Sequence, residues 1–195
     1  MDATASRQLT WDQASHIQTE MFLATSKMGG LLVQLAFFRG FGEFKVSQWT
    51  NNGEGLKSLM RSVSCAAGTT QIGKVLQHAV NETRKQKINA VVFVGDSMEE
   101  DVSKITKKAG QLGVYGVPVF MFQEGNDPIT NYAFNEIARL SGGACISFDG
   151  NSVRHLRDLL RAVAIFAAGG ESELRALASK EGEKIKLLTK QVLKG

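Results

Sequence analysis

The sequence predicts an α/β fold: a doubly wound, mostly parallel central sheet with one antiparallel edge strand and helices on both faces. Three observations predict it. From residue 88 onward, apolar runs of strand length alternate with segments whose apolar residues recur every three or four positions. Residues 88–94 and 117–122 are almost continuously apolar, as strands covered on both faces are. Residues 31–38 and 43–49, joined through Arg39-Gly40-Phe41-Gly42, read as an antiparallel hairpin.

Each element has its own signal. Thr10 and Gln13 have the spacing of a capping box, and Ile17, Met21, Ala24 and Met28 follow at helical intervals up to Gly29-Gly30. An amphipathic helix is therefore expected over 11–28. The hairpin supplies the edge strand, with Phe44 and Val46 turned one way and Lys45, Ser47 and Trp49 the other. Asn51-Asn52-Gly53 breaks the chain before a short helix that turns Leu56, Leu59, Met60 and Val63 inward. After a small-residue loop at 66–70, Ile72, Val75, Leu76, Ala79 and Val80 mark the next helix. The strand at 88–94 stops at Gly95-Asp96. Val102, Ile105, Ala109 and Leu112 stripe a helix, and 117–122 is the next strand. Asp127-Pro128 opens a helix with proline at its first position, which runs to 140 and stops at Gly142-Gly143. Residues 144–148 form the last strand. Residues 151–168 form a helix with Val153, Leu156, Leu159, Leu160 and Val163 inward. Gly169-Gly170 reads as a linker, which divides the chain into a domain at 1–168 and a C-terminal helical extension at 169–195, interrupted at Gly182.

Composition narrows the function classes. With 195 residues, 43% hydrophobic and 22% charged, the chain has the make-up of one globular domain with an appendage. No apolar run nears the ~20 residues of a membrane span, so no membrane role is expected. The net charge is +4, and residues 171–195 hold six Lys or Arg against four Glu, without aromatic residues among them. That is too sparse for a nucleic-acid surface. Cys65 and Cys145 are too few for a disulfide framework and read as buried free thiols, so a reducing, cytoplasmic setting is expected. His16, His78 and His155 are scattered, and the phenylalanines at 37, 38, 41 and 44 read as core and edge packing. Glu99-Glu100-Asp101 reads as the acidic first turn of the helix that follows.

Ligands of doubly wound sheets bind beyond the carboxyl ends of the strands. Chemistry stands in three such places: Asp2-Ala3-Thr4-Ala5-Ser6, Gly68-Thr69-Thr70-Gln71, and Asp96 after Phe93-Val94-Gly95. Their oxygen side chains suit a hard cation such as Mg²⁺, which takes about six oxygens near 2.1 Å. Hydroxyls at 4 and 6 fall on one side of an extended segment because side chains alternate.

These motifs, in this order over residues 2–168, resemble the von Willebrand factor A (VWA) family, of the intracellular bacterial type. That family has a Rossmann-like fold and a metal-ion-dependent adhesion site (MIDAS). The site comprises Asp-x-Ser-x-Ser, a Thr in a Gly-rich loop and an Asp after a later strand. Here Asp2, Thr4 and Ser6 match the first part, with Thr for the first Ser; Thr70 matches the second and Asp96 the third. The resemblance implies a Mg²⁺ site (Mn²⁺ or Ca²⁺ as substitutes) in which Thr4 and Ser6 ligate directly. Asp2 and Asp96 act mostly through water, and Thr70 lies near the metal. It also implies a non-enzymatic protein-binding module whose partner completes the metal shell with an acidic side chain. The family's first strand lies at the sheet centre, yet only Met1 precedes Asp2 here. That strand is expected to be missing, leaving a central gap through which copies of the chain could associate.

Two alternatives stand beside this reading. One is a structural or assembly adaptor with a vestigial metal site, for example working with an AAA+ ATPase, its C-terminal helix docking on a partner. The other is a Mg²⁺-dependent phosphatase-like hydrolase of the haloacid-dehalogenase kind. That chemistry needs a second acid two residues after the first, and position 4 is Thr. No Gly-x-x-x-x-Gly-Lys-Ser/Thr loop supports an NTPase either.

Overall fold

The computed structural model describes residues 1–4, 11, 12, 25, 28, 30–149 and 153–193. Eleven named elements follow in order: β1 (Ala36–Arg39), β2 (Glu43–Val46), α1 (Gly53–Arg61), α2 (Ile72–Lys85), β3 (Val91–Gly95), α3 (Val102–Val114), β4 (Val119–Glu124), α4 (Pro128–Ser141), β5 (Ala144–Phe148), α5 (Val153–Ala178) and α6 (Glu183–Val192). Most of the helix expected over 11–28 lies outside the described residues; Trp11, Asp12 and Thr25 have helical backbone.

The strands form two ladders. β1 and β2 pair antiparallel, Ala36 opposite Val46 and Arg39 opposite Glu43. β3, β4 and β5 pair in parallel in that order. Residues 1–3 lie between the two ladders. The Asp2 N–H donates to the Val94 carbonyl at 3.1 Å, on β3. On the other side the Ala3 N–H donates to the Phe38 carbonyl at 3.0 Å, the Phe38 N–H to the Met1 carbonyl at 3.4 Å, and the Met1 amino nitrogen to the Ala36 carbonyl at 2.7 Å. The central position expected to be a gap is thus held, at its carboxyl end, by the chain's own first residues. Buried peptide groups have to be paired, and these three residues pair groups on both neighbours.

The sheet separates two cores. Alternation along β4 sends Phe120 and Phe122 to one side, against α1, α5, α6 and Trp11. It sends Val119 and Met121 to the other, against α2, α3 and α4. Phe120, Met121 and Phe122 are each fully buried; each contributes about 1.5–3 kcal/mol by leaving water. Phe38 and Phe93 stack at 6.1 Å across the position held by residues 1–3, and Phe134 meets Phe93 edge-on at 5.6 Å. Trp11 packs edge-on to Phe37 and donates its indole N–H to the Met60 carbonyl at 2.8 Å. No helix among the described residues is long and apolar enough to cross a membrane.

Several expectations are adjusted by this packing. Leu59 is 37% exposed rather than inward, because α1 buries only Leu56 and Met60. Cys145 is buried, which pushes its thiol up to about 12, whereas Cys65 is only partly buried. Asp127 caps α4 through the Thr130 N–H, with Pro128 at the first position as expected. α5 consists of two helical stretches that meet at Gly170, whose φ 73° and ψ −163° are non-helical, so the chain breaks helix at the glycine pair. The tail beyond it buries Leu174, Ala178, Ile185, Leu188 and Val192 in the same core as β4.

α6 also covers the open edge of β5. The Gln191 carboxamide accepts the Cys145 N–H at 2.7 Å and donates to the Cys145 carbonyl at 3.0 Å, as a neighbouring strand would. Lys184 Nζ donates to the Ser147 carbonyl at 2.8 Å. Unprotected edges invite pairing with other chains, and these side chains occupy the groups that would do it. The hairpin edge is held differently. Arg39 Nε meets the Glu43 carboxylate at 2.8 Å, Lys45 Nζ meets it at 2.9 Å, and Arg39 Nη1 also donates to the Ser64 carbonyl at 2.7 Å.

Replacing Gln191 with Leu leaves the Cys145 peptide groups without partners. Urea unfolding is expected to show a loss of about 1–3 kcal/mol, with faster hydrogen exchange at the Cys145 amide. At the hairpin, Arg39 and then Lys45 hold the Glu43 carboxyl at about 2, below its ordinary 4.5. A lowered carboxyl contributes stability above its unfolded value and loses it as pH falls through the folded one. Acid melting curves of Glu43→Gln are therefore expected to converge on wild type between pH 4.5 and about 2. The difference above that window should shrink at high salt, since the pair is solvent-screened.

Candidate functional site

The carboxyl ends of β1 and β3 flank residues 1–3, so the ladder delivers Asp2 to the sheet's upper rim. Asp2 is 1% exposed, and its Oδ1 accepts the Thr4 N–H at 2.8 Å in a turn that also buries Thr4. The Ala3 carbonyl accepts the Ala66 N–H at 3.0 Å, which ties the loop after α1 to the same place. That loop needs its glycine. A Cβ on Gly68 would stand 2.1 Å from the Gly40 carbonyl oxygen, so loop and hairpin turn touch backbone to backbone. The contact sets the path of the chain into Thr70.

Thr70 is buried and joined to the third segment in both directions. Its N–H donates to the Glu99 carboxylate at 3.2 Å, and its hydroxyl accepts the Glu99 N–H at 3.1 Å. Asp96 lies two residues beyond Val94, which pairs with Asp2; it is partly buried and accepts from the Ser97 hydroxyl at 3.3 Å. The three segments that carry Asp2 and Thr4, Thr70, and Asp96 are thus linked by hydrogen bonds near the carboxyl ends of β1 and β3. Ser6 lies outside the described residues.

The acidic run after Asp96 does more than open a helix. Asp101 caps α3 by accepting the Ser103 N–H at 2.9 Å. Glu100 turns away from α3 and accepts the N–H groups of Ile72 and Gly73, the latter at 3.0 Å. The residue that precedes α2 is Gln71, whose side chain makes no cap; Glu100 replaces it, and a carboxylate suits the positive end of a helix. Burial raises the Glu100 carboxyl above its ordinary value, while the two amides and Lys108 work in the opposite sense. Sequence reasoning placed Glu99 and Glu100 in a first helical turn and missed both links. The available signal was a helix start with no good local cap, facing an acidic run.

Among the described residues no group of three or more His, Cys, Asp or Glu side chains is placed to hold a metal ion. The rim instead offers two carboxylates and two threonine hydroxyls. Phe41, at the tip of the hairpin beside this rim, is 88% exposed, in contrast to its neighbours Phe37 and Phe38, which are buried as expected.

No family model matches the sequence, and no curated protein matches it either. Among solved structures, a von Willebrand factor type A protein from Catenulispora acidiphila superposes with a TM-score of 0.64 at 13% identity. The match covers 86% of this chain and 41% of that one, so the chain spans about two-fifths of the length of the structure it matches. At that identity the likeness is one of fold: a sheet of the same general build, flanked by helices.

Glu100→Ala removes the cap of α2 and the charge beside it. The expected cost is about 0.5–2 kcal/mol in chemical denaturation, with exchange protection lost first at the Ile72 and Gly73 amides.

Proposed function

We propose that this chain is a non-enzymatic, divalent-cation-dependent protein-binding module of the VWA type. What supports the reading is the linkage of the segments that carry Asp2 and Thr4, Thr70, and Asp96, through the Asp2–Val94, Ala66–Ala3 and Thr70–Glu99 hydrogen bonds at the carboxyl ends of the strands. The donor set fits a hard ion: oxygens alone, with two carboxylates to balance a divalent charge. The hydroxyls of Thr4, Ser6 and Thr70 would hold Mg²⁺ or Mn²⁺, with Asp2 and Asp96 acting directly or through water. When bound, the ion supplies a Lewis-acidic position for a partner's carboxylate. The residues of the chain orient the donors. Burial of Asp2 and Thr4 fixes the first segment, and Glu99 fixes Thr70.

A second reading, an adaptor whose metal site is idle, draws on a specific feature. Asp2 Oδ1 and the Thr70 hydroxyl already accept hydrogen bonds from within the chain. A resident ion would have to share these oxygens.

Calorimetric titration with Mg²⁺ and Mn²⁺ distinguishes the two. Saturable binding is expected for the wild-type chain, reduced at least about tenfold in Asp96→Ala, with the melting temperature of the metal-free protein little changed. Absence of divalent-ion binding by the wild-type chain would overturn the first reading and favour the second.

A further inference from the structure

The last two helices hold a second surface, lined by none of the residues of the candidate rim. α5 and α6 pack together after the bend at Gly170, and a shallow, open groove of about 460 Å³ lies between them. Arg175, Ala178 and Ser179 form one wall, at the three- and four-residue spacing of a single helix face. Lys186, Lys190 and Leu193 are on the other wall, at the same spacing. Ala178 gives the groove an apolar floor continuous with the core beneath. Three cations stand on its lips, all exposed. Arg175 has a loose partner, Glu171, at 3.7 Å. Among the described residues no carboxylate lies within ion-pair distance of Lys186 or Lys190.

We propose that this groove docks an amphipathic, acidic helix of a partner protein. Both walls are helices whose backbone groups bond internally, so the groove offers no ladder to an extended strand. Ridges three and four residues apart on parallel walls accept the ridge of a third helix. An apolar floor between cationic lips selects a helix with Leu-like residues on one face and Glu or Asp flanking them. The three cations are too few, and no aromatic side chain lines the groove with them, to form a nucleic-acid track. The surface is separate from the cation rim and does not require it.

The test uses fluorescence anisotropy with the full chain and a short labelled synthetic peptide of Leu and Glu, patterned so that Leu recurs at helical spacing between Glu flanks. A scrambled peptide of identical composition is the control. Saturable binding of the patterned peptide, weakened at least about tenfold in Lys186→Glu/Lys190→Glu and in Ser179→Trp, supports the proposal. Circular dichroism melting confirms that each variant is folded. Since both substitutions lie on exposed positions, Lys186→Ala/Lys190→Ala provides a gentler pair with the same expected direction. Equal affinity for the scrambled peptide, unchanged affinity in the variants, or no binding of the patterned peptide overturns it. So does concentration-dependent self-association of the chain that the Lys186→Glu/Lys190→Glu pair abolishes, because the occupant is then a second copy.

Discussion

Backbone groups at the middle of a sheet have to be paired, and in this protein residues 1–3 meet that demand between two ladders. One edge of the short segment bonds to β3 and the other to β1. Without those bonds β1–β2 and β3–β4–β5 would be separate sheets. The same residues begin the candidate cation rim, because Asp2 pairs beside Val94 and Thr4 turns back onto Asp2. Fold and candidate site therefore share their most constrained segment. A polar residue buried to that degree is tolerated where it is hydrogen-bonded, and Asp2 is tied into the turn that it helps to form.

From that segment outward, the rim is organised by exchange between loops rather than within them. The 63–71 loop is bound to Ala3, supported by the Gly68–Gly40 contact, and locked to the next loop through Thr70 and Glu99. Glu100 then reaches across to start α2. Each loop takes its cap or its anchor from another. Such an arrangement fixes the loops against one another through Thr70, Glu99 and Glu100.

The parts of this arrangement visible in the sequence are those governed by local chemistry. Strand 144–148 matches β5 to the residue because an apolar run lies between Gly143 and a polar turn. Proline 128 and Asp127 mark the start of α4 because both act on their immediate neighbours. β3 begins later than its apolar run, at Val91, since the ladder with β4 starts only where Val119 is available. The glycine pair at 169–170 signals a break in helical dihedrals, and Gly170 makes one; whether the chain departs or turns back there is decided by what the far side buries. In the same way, Gln191 carries no sequence mark of its role on β5, and Glu100 none of its role on α2, because both partners are dozens of residues away. The positions of Asp2 and Asp96 at or just after strand-like backbone were legible in the sequence; the hydrogen bonds between their loops were not.

Gly170 has a wider consequence. A straight helix of 26 residues would measure about 39 Å, and its last turns would project past the sheet into solvent. A positive φ with extended ψ is open almost solely to glycine, so this single residue folds the final third of α5 back along the body. The seat of α6 on β5, the shielding of that strand, and the existence of a groove between the last two helices all descend from one missing side chain. In descendants of this gene the glycine and the tail would be expected to persist or disappear as a unit.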